Sequence, residues 1–139
     1  MKYAEKDVVA SIRSQFTDEN AKKFLNTYWR KKRLECGIPQ TGFCYVSSHA
    51  YFRLMDGKNT GLTIKTWADP QDATKGHFWV EKADGTRVDL TSEQYGNKFD
   101  KYAYGKKARI QSFKKILNFV ALVEKNLKPL KKNHESFIS

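Results

Sequence analysis

"HFWVEKADGTRVDLTSEQY" (His77–Tyr95) is the stretch whose reading decides the fold. Two β-rich runs flank an Asp84-Gly85 step, the pattern of an antiparallel hairpin. The first run opens on His77, one of three histidines, and the second closes on Asp89. Directly opposed hairpin residues share a face, so the loop length decides whether these two side chains meet. A two-residue Asp84-Gly85 turn sets Asp89 against Val80, facing away from His77. A three-residue Ala83-Asp84-Gly85 loop, with Gly85 as the left-handed bulge residue, sets it against Trp79, one diagonal step from His77. A loop one register tighter, closing at Glu81 and Gly85, opposes His77 and Asp89 directly. With the two-residue turn, Gln94 or Asn97 would have to serve the histidine instead.

Working outward, "LTIKTW" (Leu62–Trp67) has the alternating β-branched pattern of a strand, and "ADPQDATKG" (residues 68–76) reads as a polar loop bordering the hairpin. Upstream the pattern turns helical. Val8, Ile12 and Phe16 fall four apart. Thr17 offers an N-cap to a helix whose apolar stripe runs Ala21, Phe24, Leu25, Tyr28 and Trp29, stopped by Gly37 and Pro39. A third helix spans about Phe43 to Met55, with Val46, Ala50 and Leu54 on one side. The last element lies in "ARIQSFKKILNFVALVEKNL" (residues 108–127), where Ile110, Phe113, Leu117, Val120 and Leu127 form a stripe widened by Leu122 and Val123. So wide a stripe fits packing on a core better than lying on a membrane surface. Helices first, strands next and a closing helix make an α+β fold with a small antiparallel sheet. No linker or repeat divides residues 1–139, so one domain is expected.

Composition narrows the class. Hydrophobic residues make up 40% of the 139 residues, enough for a real core, so a disordered chain is excluded. There is no 18-residue apolar run and no signal-peptide core, so the expectation is a cytoplasmic protein without a membrane span. Two cysteines make no disulfide framework, and nothing in their spacing suggests a metal site. Lys and Arg exceed Asp and Glu by 26 to 15, a net charge of +11. That excess either solvates lysine-rich faces or attracts a polyanion, and Lys106, Lys107 and Arg109 in "YGKKAR" are the candidate contacts.

Chemistry concentrates at "TGFCYVSSHAYFRL" (residues 41–54). Cys44 stands at a helix start, where the dipole favours a thiolate and unpaired backbone N–H groups face a reacting centre. A nucleophilic cysteine also needs a histidine to hold its proton and a carboxylate or amide to orient that histidine. His77 and Asp89 supply both, in the order Cys, His, Asp. Each has a plainer reading: a packed helical cysteine, a strand-end histidine, an aspartate capping the turn after it. His49 is five residues, roughly 140° round the helix, from Cys44 and cannot serve it. Cys36 has no such partners and reads as structural.

"GFC" opening a helix, followed by "HFWVE" and "VDLT" strands, resembles the transglutaminase-like branch of the papain-like cysteine hydrolases. The resemblance covers Gly42 to Gln94. It implies a papain-like core with Cys44 as nucleophile, His77 as general base and Asp89 as its orienting group. It further suggests Gln40 as a side-chain oxyanion donor beside the Cys44 backbone N–H. Trp79, on the same strand face as His77, reads either as a wall of the site or as core. The family's G-x-P-x-R segment is absent, and members range from peptidases and acyltransferases to non-catalytic copies. The expectation is therefore cysteine-dependent acyl transfer on an amide or ester, by a peptidase, deamidase or transamidase acting on a protein or peptide, with no metal or cofactor. The alternative is a basic nucleic-acid-binding module on the same scaffold, where aromatics interleaved with lysines in "NKFDKYAYGKKAR" (residues 97–109) stack bases.

Overall fold

In the computed structural model, which describes residues 2–96 and 98–131 apart from the side chains of residues 73 and 74, five helices, the last a single turn, precede the sheet. Helix α1 (Glu5–Ser14) buries Val8 and Ile12 completely, as their four-residue spacing requires. The Thr17 hydroxyl accepts the N–H of Asn20 and starts α2 (Asp18–Phe24). The expected long second helix is in fact two. At Leu25 the backbone becomes extended (φ −102, ψ 143), and the Asn26 side chain accepts the N–H of Trp29 to begin α3 (Thr27–Cys36). An internal asparagine thus acts as a cap, which lets the apolar stripe continue through a change of direction. Gly37 ends α3 at φ 70.

Helix α4 (Cys44–Leu54) runs through the middle of the molecule, burying Val46, Ala50 and Leu54 as expected, and also Ser47, Ser48, His49 and Tyr51. It packs against α1, against the sheet and against the closing helix. Asp56 in the left-handed region leads into the one-turn α5 (Gly57–Thr60).

The sheet is antiparallel, in the order β3-β2-β1-β4. Strand β1 (Thr63–Asp69) pairs with β2 (Asp72–Glu81) from Thr63↔Glu81 to Trp67↔His77 and beyond. The polar loop expected over residues 68–76 is therefore mostly strand. Only Pro70 and Gln71 separate β1 from β2, and the Asp69 carboxylate closes the turn by accepting the N–H of Gln71. Strand β3 (Arg87–Val88) pairs Val88 with Val80 and Arg87 with Glu81. Lys82 N–H donates to Thr86 O at 2.8 Å, so the hairpin loop is Ala83-Asp84-Gly85, with Gly85 at φ 86. This is the three-residue alternative, with Asp89 following directly after the Val88–Val80 pair.

The two sheet faces have different covers. Ile64 and Val80 join the core that α1, α4 and the closing helix share. On the opposite face Trp67, His77 and Trp79 lie under Phe99, while Tyr95 and Tyr102 also reach the His77 ring. These covering aromatics come from an irregular segment with two 3-10 turns, Ser92–Tyr95 and Tyr102–Tyr104. The two-residue strand β4 (Lys106–Lys107) then pairs with β1. The closing helix α6 (Lys114–Glu124) starts later than its stripe suggested, because residues up to Phe113 are not helical. Its buried face is Ile116, Phe119 and Val123, whereas Ile110, Phe113 and Leu117 of the expected stripe are exposed. No helix among the described residues is long and apolar enough to cross a membrane.

Candidate functional site

Cys44 is the first residue of α4, with Phe43 at the cap position and Gly42 before it at φ 87. Only glycine suits that corner. A Cβ on Gly42 would sit 2.8 Å from the Cβ of Trp29, and the φ itself disfavours a side chain. The approach to the helix is held from α3. The buried Arg33 guanidinium bonds Asp18 at 2.7 Å, Pro39 O at 3.0 Å and Phe16 O at 3.2 Å. As the first helical residue, Cys44 has no intrahelical acceptor for its own N–H. Its side chain is 5% exposed and lines a cavity of about 240 Å³ with Trp29, Gly42, Gly76 and Phe78.

His77 is fully buried, its ring stacked near-parallel on Trp79 (centroids 5.7 Å apart) and edged by Tyr95 and Phe99. The three-residue hairpin loop places Asp89 on this same face. His77 Nε2 meets Asp89 Oδ2 at 2.5 Å. Tyr102 O–H donates to the same oxygen at 2.6 Å, and Thr91 N–H to Oδ1 at 3.1 Å. Burial works to raise the Asp89 pKa, but the hydrogen bond and charge of His77, with the Tyr102 and Thr91 donors, hold it below the ordinary carboxylate value.

The other ring nitrogen faces Gln94. Gln94 Oε1 accepts the backbone N–H of Gly42 at 3.0 Å, and Gln94 Nε2 lies 2.7 Å from His77 Nδ1. A backbone N–H can only donate, so the amide orientation is set: oxygen to Gly42, NH₂ to the imidazole. Nδ1 therefore accepts, and the ring proton of the neutral histidine sits on Nε2, donating to Asp89. One glutamine thus ties the loop before Cys44 to the histidine. Opposing it are the groups that favour the imidazolium. Burial lowers the His77 pKa, but the hydrogen bond and charge of Asp89, with a further contribution from Cys44, overcome that and raise it to about 9. Protonating Nδ1 makes it a donor, which the Gln94 NH₂ cannot receive. The imidazolium then requires the amide to release the ring.

Asp89 and Gln94 are thus the ring-nitrogen partners of His77, and Cys44 is not among them. Trp79 is buried at 1% exposure with its ring stacked on His77, and it does not line the Cys44 cavity. Gln40 contributes its backbone carbonyl to a turn, accepting Phe43 N–H, and its side chain does not line the Cys44 cavity. Gln94, which the sequence offered only as a fallback orienting group, is the amide at this site. Asn97, the other fallback, lies outside the described residues. Tyr102 carried no sequence signal as an Asp89 partner, because an irregular segment has no periodicity from which to place it.

The remaining reactive groups have structural explanations. His49 Nδ1–H donates to Tyr45 O at 2.9 Å, and its Nε2 accepts Gln111 N–H at 3.3 Å, which holds it neutral inside the core. Cys36 is exposed, its Sγ 3.2 Å from Thr41 Oγ1. Lys106 and Lys107 are exposed on the edge strand β4, where lysines discourage sheet-to-sheet pairing, and Arg109 is exposed just beyond. Among the described residues no group of three or more His, Cys, Asp or Glu could hold a metal ion. No protein-family model, curated protein or solved structure matches the chain.

Proposed function

We propose that this protein is a cysteine-dependent acyl-transfer enzyme acting on an amide or ester, on a core of the papain-like or transglutaminase-like kind. The observation that carries the reading is the buried His77–Asp89 pair, tied through Gln94 to the Gly42 N–H in the loop that leads into Cys44. His49 in the same molecule shows the contrast, with its ring nitrogens paired to backbone groups. Its pKa is lowered, chiefly by burial.

In this mechanism the Cys44 proton passes to His77 Nδ1, giving a thiolate–imidazolium pair oriented by Asp89. The thiolate sulfur attacks the substrate carbonyl carbon, and the C=O π pair moves to oxygen. The unpaired Cys44 N–H faces that oxyanion. The Gln94 side chain, bonded to the Gly42 N–H two residues before Cys44, is the proposed second donor once the ring's protonation releases its NH₂. The oxyanion then collapses and expels the amine or alcohol, which takes the Nδ1 proton and leaves a Cys44 thioester. Water or a second amine attacks that thioester, giving its proton to Nδ1 and returning the electron pair to sulfur.

Alkylation by iodoacetamide tests the reading, with Cys36 as internal control. Mass spectrometry should find Cys44 modified faster than Cys36 at pH 6, despite its burial, and His77→Gln should remove the difference. Cys44 reacting more slowly than Cys36 at every pH, with no response to His77→Gln, would sink the enzyme reading.

A further inference from the structure

A second cavity, about 450 Å³, adjoins the one containing Cys44; Trp29 and Gly76 line both, and Gln94 lines this one. Its walls are the half-buried rings of Tyr28, Trp29, Trp67, Tyr95 and Phe99. Four exposed lysines, Lys32, Lys75, Lys98 and Lys101, stand around it against two aspartates, Asp69 and Asp100, leaving a net +2. The Tyr95 hydroxyl is fixed on Gly76 O at 2.6 Å, so one aromatic wall is locked to the strand that carries His77.

We infer that this aromatic, lysine-rimmed cavity is the specificity subsite of the Cys44 cleft and takes a bulky apolar side chain flanked by carboxylates, in an acidic peptide segment. The inference rests on the acyl-transfer reading for the location of the scissile bond. An aromatic floor recognises a large apolar group through area and ring contacts. A cationic rim recognises charge beside that group and rejects basic sequences. A peptide fits better than a nucleic acid because the cavity adjoins, across Trp29 and Gly76, the one that Cys44 lines. The amide of a peptide is a carbonyl a thiolate can attack, whereas phosphodiesters offer it none.

Fluorescence anisotropy with labelled pentapeptides EEFEE, EEAEE and KKFKK tests this on the full chain. EEFEE should bind at least about tenfold more tightly than either control, with an affinity that falls as salt rises. Lys98→Glu with Lys101→Glu should lose that preference, while Lys98→Arg with Lys101→Arg keeps it. Trp67→Ala, checked for an intact melting transition, should bind EEFEE no better than EEAEE. Equal binding of EEFEE and EEAEE, or no binding of either, would overturn the subsite. So would displacement of EEFEE by a single-stranded oligonucleotide at equal charge concentration, which would make the face a polyanion surface. Cys44→Ala should bind as the parent does. Tight, selective binding alongside an unreactive Cys44 would therefore remove only the enzyme reading, and a reactive Cys44 without selectivity would remove only the subsite.

Discussion

Every partner of Asp89 is a donor. Oδ2 receives His77 and Tyr102, and Oδ1 receives Thr91 N–H. An asparagine there must turn its NH₂ towards one of these donors. If it faces His77, Nε2 must accept and the ring proton moves to Nδ1, where it meets the NH₂ of Gln94. Asp89→Asn thus imposes the wrong tautomer. The expected outcome is a fall of at least about tenfold in the Cys44 alkylation rate at neutral pH, since tautomer reversal in comparable triads costs orders of magnitude. The accompanying loss of unfolding free energy should be about 1–3 kcal/mol, the scale of a disturbed buried charged hydrogen bond. Chemical denaturation and mass spectrometry on the same sample separate the two effects.

At the scale of elements, two left-handed glycines make a matched comparison. Gly85 (φ 86) has nothing within 4 Å of a built Cβ, whereas Gly42 (φ 87) has the Trp29 Cβ at 2.8 Å. Gly85→Ala should cost about 1–2 kcal/mol from backbone conformation alone. Gly42→Ala adds a clash between α3 and the Cys44 corner, so it should destabilise more and also slow Cys44 alkylation. Equal melting temperatures for the two variants would contradict this account of the corner. The hairpin was legible because its parity question had few answers, and a glycine in the loop favours a bulge. The His77–Asp89 pairing was legible because the three-residue loop fixes which face Asp89 takes just beyond β3. The break at Asn26 was hidden because the apolar stripe continues across it. The α6 face was misread because Ile110 and Phe113 match helical spacing while lying before the helix begins. Residues 68–76 looked like a loop because polar strand residues at a sheet end resemble a turn in composition. Gln94 and Tyr102 depend on the path of an irregular segment, which no periodicity encodes.

For the whole molecule, two buried histidines shape stability against pH in opposite directions. His77, raised from 6.5 to about 9, stabilises the fold fully below pH 6.5 and loses that contribution as pH rises through about 9. His49, lowered mainly by burial, favours the fold while neutral and loses that contribution as pH falls below 6.5. The melting temperature should therefore decline on both sides of a maximum near pH 6.5, and His77→Gln should flatten the alkaline limb; an unchanged limb in that variant would place its origin elsewhere. The central claim is that the thiol of α4 and the imidazole of β2 form one proton-sharing unit. Titrating the His77 ring by imidazole-selective NMR, in the parent and in Cys44→Ala, tests it most directly. The parent ring should titrate near pH 9, and removing the thiol should lower that value by at least about one unit, since a neighbouring charge shifts a buried group by that much or more. Superimposable titrations in the two proteins would leave His77 and Asp89 as a structural pair and contradict the claim.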